Sequence, residues 1–212
     1  MSHTVIIGGS HAGVAAAAVA IGAVLGCAAG LAAAAFGGFA QTVLMRGSDL
    51  VFAFPALITA AILATIFGPG ALNAVIAIGL FNIPVFARLT AASGRQLLAR
   101  DFADAARLAG KSEARIALEH VLPNAAPIIA TQAATLFAVG ILAEAGLSYV
   151  GLGAQPPAVS WGRMLAEAQT LVALAPQLAL WPGLAIAITV FAGTAFGEAL
   201  RARLDPRAAR GR

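Results

Sequence analysis

Few residues in this chain have the types and spacing that chemistry requires. Gly110-Lys111-Ser112 has the ending of a phosphate-binding P-loop, in which backbone N–H groups and a lysine cradle phosphates. The first glycine of that pattern would fall at residue 105, which is Ala105, and a charged helical stretch precedes it instead of a strand. Val5-Ile6-Ile7-Gly8-Gly9-Ser10-His11-Ala12-Gly13 opens like a dinucleotide-binding turn. Ser10 holds the place of the middle glycine, and no Asp or Glu precedes Asp49. The apolar run also continues where a second strand and a ribose-binding acid are required. Both patterns are decoys, so the chain is expected to bind no ATP, no dinucleotide and no other cofactor itself.

Other chemistries fail on inventory. Cys27 is the single cysteine and sits in an apolar run, as a packing residue does. No His/Cys cluster has metal-ligand spacing. His3, His11 and His120 lie near or outside the ends of the apolar runs, and His11 is expected at the interface. Intramembrane proteolysis needs a Ser/His pair, paired Asp or a zinc helix, and the runs offer none. The chain is not read as an enzyme. Three residues in the apolar runs still call for explanation. Asn82 and Pro84 share one run: the proline removes a backbone hydrogen bond, and the amide must face protein or a water-filled path. Asn82 either ties two helices together or lines such a path. Glu144 near the end of another run is either a proton or cation site or a hydrogen-bonded residue holding the end of its helix.

The elements that position these residues are membrane spans. Of the 212 residues, 60% are hydrophobic and 10% charged, against about 25% charged in a soluble domain. Too few charges remain to cover a water-facing surface, so lipid is the solvent. Apolar runs fall at about 14–36, 50–67, 71–89, 125–147 and 178–196, each close to the roughly 20 residues that cross a bilayer. The expected fold is an all-α polytopic transmembrane bundle, one transmembrane domain over 1–212 with five visible spans. Gly22, Gly26 and Gly30 lie four apart on one face and let a second helix approach. Gly37, Gly38 and QTVLMRGSD are expected as a short loop, and Gly68-Pro69-Gly70 as a tight turn. Between Ser148 and Pro176, SWGRMLAEAQTLV reads as an interfacial helix with Trp161 as a headgroup anchor. No cleavable signal peptide is evident.

Charge is unevenly placed. No Lys, Arg, Asp or Glu occurs between Met1 and Met45, while ten occur from Arg88 to Glu119. The net charge of +4 therefore follows membrane topology and not nucleic-acid binding. Arg88, Arg95, Arg100, Arg107, Lys111 and Arg115 crowd one segment, and Arg201, Arg203, Arg207, Arg210 and Arg212 crowd the C-terminus. Ser148–Pro176 holds only Arg163. By the positive-inside rule the polar segment 93–123 and the tail 199–212 are cytoplasmic, and with five spans the N-terminus of this chain is external.

The polar segment carries a family signature. Asp104-Ala105-Ala106, then Gly110, then Leu122-Pro123 resembles the EAA motif of the permease subunits of ABC importers, with Asp104 in the place of Glu and His120 in the place of Ile. EHVLPNAAPII, followed by ILAEAGLSYVGLGAQPPAVSWGRML, resembles the dipeptide/oligopeptide/nickel branch of that family. The resemblance runs from about Leu31 to Asp205. Local chemistry agrees: Asp101 favours a helix start over 101–109, Gly110 breaks it, Ser112 caps a second helix from Glu113 to about His120, and Pro123 ends it.

The resemblance implies an ATP-driven bacterial inner-membrane importer for peptides or related small solutes. The same branch leaves a nickel or metal-chelate importer open, and a channel or secondary transporter is the rival from another class. It also implies a second homologous permease, two cytoplasmic ATPases that bind the ATP, and an extracytoplasmic solute-binding protein. Asp104, Ala105, Ala106, Arg107, Gly110, Lys111, Arg115, His120, Leu122 and Pro123 would form the coupling region docked on an ATPase, and Asn82, Pro84 and Glu144 would lie toward the path. Members of this branch usually have six spans, so a first helix upstream of Met1 is expected to be missing or the permease to be shortened.

Overall fold

The computed structural model describes residues 2–204, with side chains from His11 onward. The rest of the basic tail, with Arg207, Arg210 and Arg212, lies outside the described residues. Among these residues every regular element is helical, as the apolar runs require. Once lipid excludes water, a spanning backbone must satisfy its own hydrogen bonds.

Among the described residues, four helices are long and apolar enough to cross a membrane. The first, α1, is Ser2–Phe36. Gly37 and Gly38, at φ 58 and 48, turn the chain within two residues. QTVLMRGSD was expected as a loop but belongs to α2, Gly38–Phe52. The two positive-φ glycines break the helix by themselves, so the residues after them are free to satisfy their backbone as a new helix. Pro55 then precedes α3, Ala56–Phe67. The expected span at 50–67 is therefore a pair, α2 and α3, bent by 75°. Proline forces the residue before it out of helical geometry, which places the break there.

The next helix, α4, is Ala71–Leu98 with Pro84 inside, and runs nine residues beyond the apolar stretch. Two short helices follow, α5 at Asp101–Leu108 and α6 at Glu113–Ile116. A π-turn, Ala117–Val121, leads without interruption into α7, Leu122–Tyr149. Pro123 was expected to end a helix and instead lies in the first turn of α7. Proline lacks an N–H and crowds the carbonyl four residues back, here that of Glu119. A widened π-turn at that point relieves both. After a loop come α8, Trp161–Ala168, and α9, Gln177–Leu204, with Pro182 inside.

The chain forms two compact units, and the division falls inside α1, α4, α7 and α9. The first unit holds the chain up to Ala20, Pro55–Leu80 and Ala134–Phe196. Its core joins Val14 and Ala18 of α1, Ala60 of α3, Ala74, Ala77 and Ile78 of α4, and Leu147 of α7. A second cluster there joins Ala145, Trp161 and Ile186. The other unit holds Ile21–Phe54, Phe81–Ala133 and the chain from Gly197. In it, α1 and α4 meet along the predicted glycine face. A Cβ at Gly26 would collide with the Ile83 carbonyl and lie 2.7 Å from Phe86 Cβ, and one at Gly30 would lie 2.5 Å from the Ala87 carbonyl. Asp49 of α2 pairs with Arg88 of α4, whose guanidinium lies 5.0 Å from the centre of the Phe52 ring.

Candidate functional site

The polar segment folds as a two-helix knob with a built turn. Asp101 and Asp104 lie in the first turn of α5, where the helix dipole favours negative charge. At its end Gly110 takes φ +80. Gly110 N donates to the Arg107 carbonyl at 2.9 Å and Lys111 N to the Ala106 carbonyl at 3.1 Å. These two bonds form a Schellman cap, which needs a left-handed residue at this position. Ser112 begins α6 by accepting from Arg115 N at 3.4 Å.

Charge then ties the two helices across the turn. Arg107 donates to Asp104 at 2.7 Å and to Glu113 at 2.6 and 3.1 Å. The hydrogen bonds to Glu113, then to Asp104, hold its guanidinium above its already high range, so it stays charged. Lys111 reaches Glu119 at 2.6 Å and His120 at 3.1 Å, and Arg115 reaches Glu119 at 2.6 Å. Exposed ion pairs contribute little one by one. Here one arginine and one glutamate each bridge two partners, which fixes the shape of the turn.

The knob is anchored from beneath. Ala103 and Ile116 are fully buried, and with Ala106, Ala117 and Val121 they pack on Leu31 of α1 and Leu97 and Leu98 of α4. Of the residues singled out from the sequence, Asp104 and Arg107 share one network through Glu113, and Lys111, Arg115 and His120 share a second through Glu119 and Lys111. Ala105 is exposed on the outer face, whereas Ala106 is buried in the anchoring cluster. Leu122 is half-buried and Pro123 exposed. Sequence reasoning passed over Glu113, Glu119 and Leu108. The i,i+4 spacing of Arg115 and Glu119 was a usable signal. Leu108 is 91% exposed, a bare apolar side chain in sequence between Arg107 and Lys111, and its misfit within a polar run was the clue.

The residues expected toward a path lie in closed packing. Asn82 is 2% exposed and sits on Gly22 of α1, its Nδ2 without a hydrogen-bond partner. Pro84 is fully buried beside it in sequence. Glu144 is also buried, and His11 explains why. His11, expected at the interface, lies inside the first unit and is 1% exposed. Its Nδ1 bonds Glu144 Oε2, and Ser148 donates to Glu144 Oε1 at 2.6 Å. Its Nε2 accepts the Trp161 backbone N–H at 2.7 Å. A backbone N–H can only donate, so Nε2 is unprotonated and Nδ1–H donates to the carboxylate. Trp161, expected in the headgroups, instead stacks on His11 with ring centres 4.9 Å apart and is 7% exposed. The helix α8 has a free N–H to satisfy at its start, and the imidazole supplies the acceptor.

Fold and site together define a polytopic helical membrane protein with a folded, charged module between two of its membrane-length helices. The chain belongs to the family of binding-protein-dependent transport system inner membrane components, whose model matches residues 22–210. Among its relatives is the glutathione transport system permease protein GsiD of Pectobacterium atrosepticum, 38% identical over 189 residues, covering 89% of this chain and 63% of that one. The protein of the same description from Shigella sonnei is 38% identical over 190 residues, covering 90% and 63%. The chain thus spans about 63% of the length of these curated relatives. In fold it is similar to a chain of the MetNI methionine ABC transporter in inward-facing conformations, with TM-score 0.67, 17% identity and coverage of 92% and 95%.

Proposed function

We propose that this chain is a permease subunit of an ATP-driven importer for peptide-like solutes, working as one transmembrane domain that supplies half of the translocation path. The observation that carries this reading is the knob. It is a capped, ion-paired two-helix module anchored on the ends of α1 and α4, with Asp104, Ala105 and Leu108 facing outward. Such a surface suits a soluble partner that moves it as a body. The Lys/Arg distribution supports a cytoplasmic knob and C-terminus. The partner is then a cytoplasmic ATPase, which binds the ATP. A second permease would complete the path, and an extracytoplasmic binding protein would deliver the solute. The name of the GsiD relatives supports a peptide-like solute. Transport proceeds by alternating access: ATPase closure displaces the knob and the attached helices follow.

The test is co-purification of an ATPase with the intact chain. Asp104→Arg places a cation against Arg107, and Gly110→Pro cannot adopt φ +80. Both are expected to abolish co-purification while the chain still inserts in the membrane. An ATPase that stays bound to both variants would remove the basis for the assignment.

A further inference from the structure

The second unit contains a cavity of about 520 Å³ between the ends of α4, α7 and α9, within the size range of ligand sites. Arg100 and Arg201 both line it, and no acidic residue does among the described residues. Arg88, Arg107, Lys111, Arg115 and Arg163 are all ion-paired. Arg100 and Arg201 have no such partner among the described residues, and neither have the amides of Gln96 and Gln132 in the same wall. Leu97 and Ile128 complete the wall with apolar surface. Two guanidiniums without a carboxylate partner among the described residues and two amides around one space leave a surplus of positive charge and N–H donors. Guanidinium forks match the oxygens of a phosphate.

The position of the cavity selects the kind of phosphate. Leu89 and Ala125, at the ends of two apolar runs, both line it. Arg201 stands five residues beyond the end of a third. The space therefore straddles the level where apolar helix gives way to charge, which is where headgroups lie. Its charged side and its apolar side match a phosphodiester joined to acyl chains. We propose that this cavity binds the phosphate headgroup of an anionic membrane lipid, with Arg100 and Arg201 as its cationic ligands. Basic pockets between membrane helices bind such headgroups elsewhere by the same chemistry. The proposal is independent of which solute is carried.

The test uses the full chain, purified from membranes in mild detergent with the subunits that accompany it. Native mass spectrometry follows titration with cardiolipin, phosphatidylglycerol and phosphatidylcholine, and competition by glycerol phosphate and inorganic phosphate. The expected result is preferential retention of the two anionic lipids. Affinity falls roughly 30-fold in the Arg100→Gln/Arg201→Gln variant, taking each arginine as one surface cation facing anionic lipid. The Arg100→Lys/Arg201→Lys variant keeps most of the binding, which separates loss of charge from loss of fold. Unchanged lipid binding in the glutamine variant overturns the proposal, as does an equal loss in an Arg163→Gln control. Tight binding of glycerol phosphate or inorganic phosphate that displaces lipid assigns the cavity to a soluble phosphate and overturns the lipid assignment.

Discussion

Replacing His11 with leucine tests the buried pair most directly. The substitution strands the Glu144 carboxylate, 2% exposed, with Ser148 as its remaining partner. Leaving a buried carboxylate without its charge-assisted hydrogen bond costs about 3 kcal/mol. It also removes the acceptor of the Trp161 N–H, and an unsatisfied buried donor costs about 1–3 kcal/mol. The stacked indole loses a further contribution of about 0.5–1.5 kcal/mol. These terms overlap, because a stranded carboxyl can take up a proton, so a net loss of about 4 kcal/mol is expected. Glu144→Leu alone leaves neutral His11 still capping α8 and costs less, about 2 kcal/mol, for one lost charge-assisted bond. The double variant His11→Leu/Glu144→Leu removes the buried charge altogether. It should be more stable than His11→Leu alone, since apolar replacement of a whole buried pair is often near neutral. Reversible unfolding in mixed detergent micelles, read by the Trp161 and Trp181 fluorescence, measures all three. Single losses that add up to the double within about 0.5 kcal/mol would show that the two side chains do not interact, and the tautomer argument would fall with them.

Further outcomes follow from the packing and the knob. Gly26→Leu drives a side chain into the backbone of α4, which cannot yield, so a loss at the upper end of about 1–3 kcal/mol is expected in the same unfolding assay. Gly13→Ala is the internal contrast: no neighbouring atom lies within 4 Å of the added Cβ, and helix propensity should stabilise by about 0.5–1 kcal/mol. Leu108→Asp should leave stability within about 0.5 kcal/mol, as a surface change does, yet weaken ATPase binding roughly tenfold or more in a pull-down titration. Unchanged binding would mean that the bare leucine is not part of the docking face. Arg107→Gln should leave the unfolding midpoint in place and reduce ATP-dependent uptake in reconstituted vesicles, because it frees Asp104 and Glu113 from one another across the turn.

Much of this architecture was legible in the chain because lipid makes its demands locally. A run such as 71–89 announces itself by length and hydropathy alone, and Gly22, Gly26 and Gly30 announce a close helix contact by spacing. The turn at Gly110 was also local: a left-handed residue followed by a capping serine. What resisted reading depends on partners distant in sequence. His11 is an interfacial histidine until Glu144 and Trp161 are placed beside it, 133 and 150 residues away. Ala105 and Ala106 are indistinguishable in the sequence, and only the cluster beneath the knob turns one inward. Pro123 misled because proline was weighed against an α-helix, whereas the π-turn before it removes the conflict.

The same π-turn sets how the two flanks of the knob respond to load. On the side of α4 the helix ends at Leu98, and Ala99 and Arg100 form a joint before α5. On the other side there is no joint: α6, the π-turn and α7 run as one 37-residue helix, Glu113–Tyr149. A load on α5 would therefore meet a joint on the side of α4 and, on the other side, a continuous helix that holds Pro127.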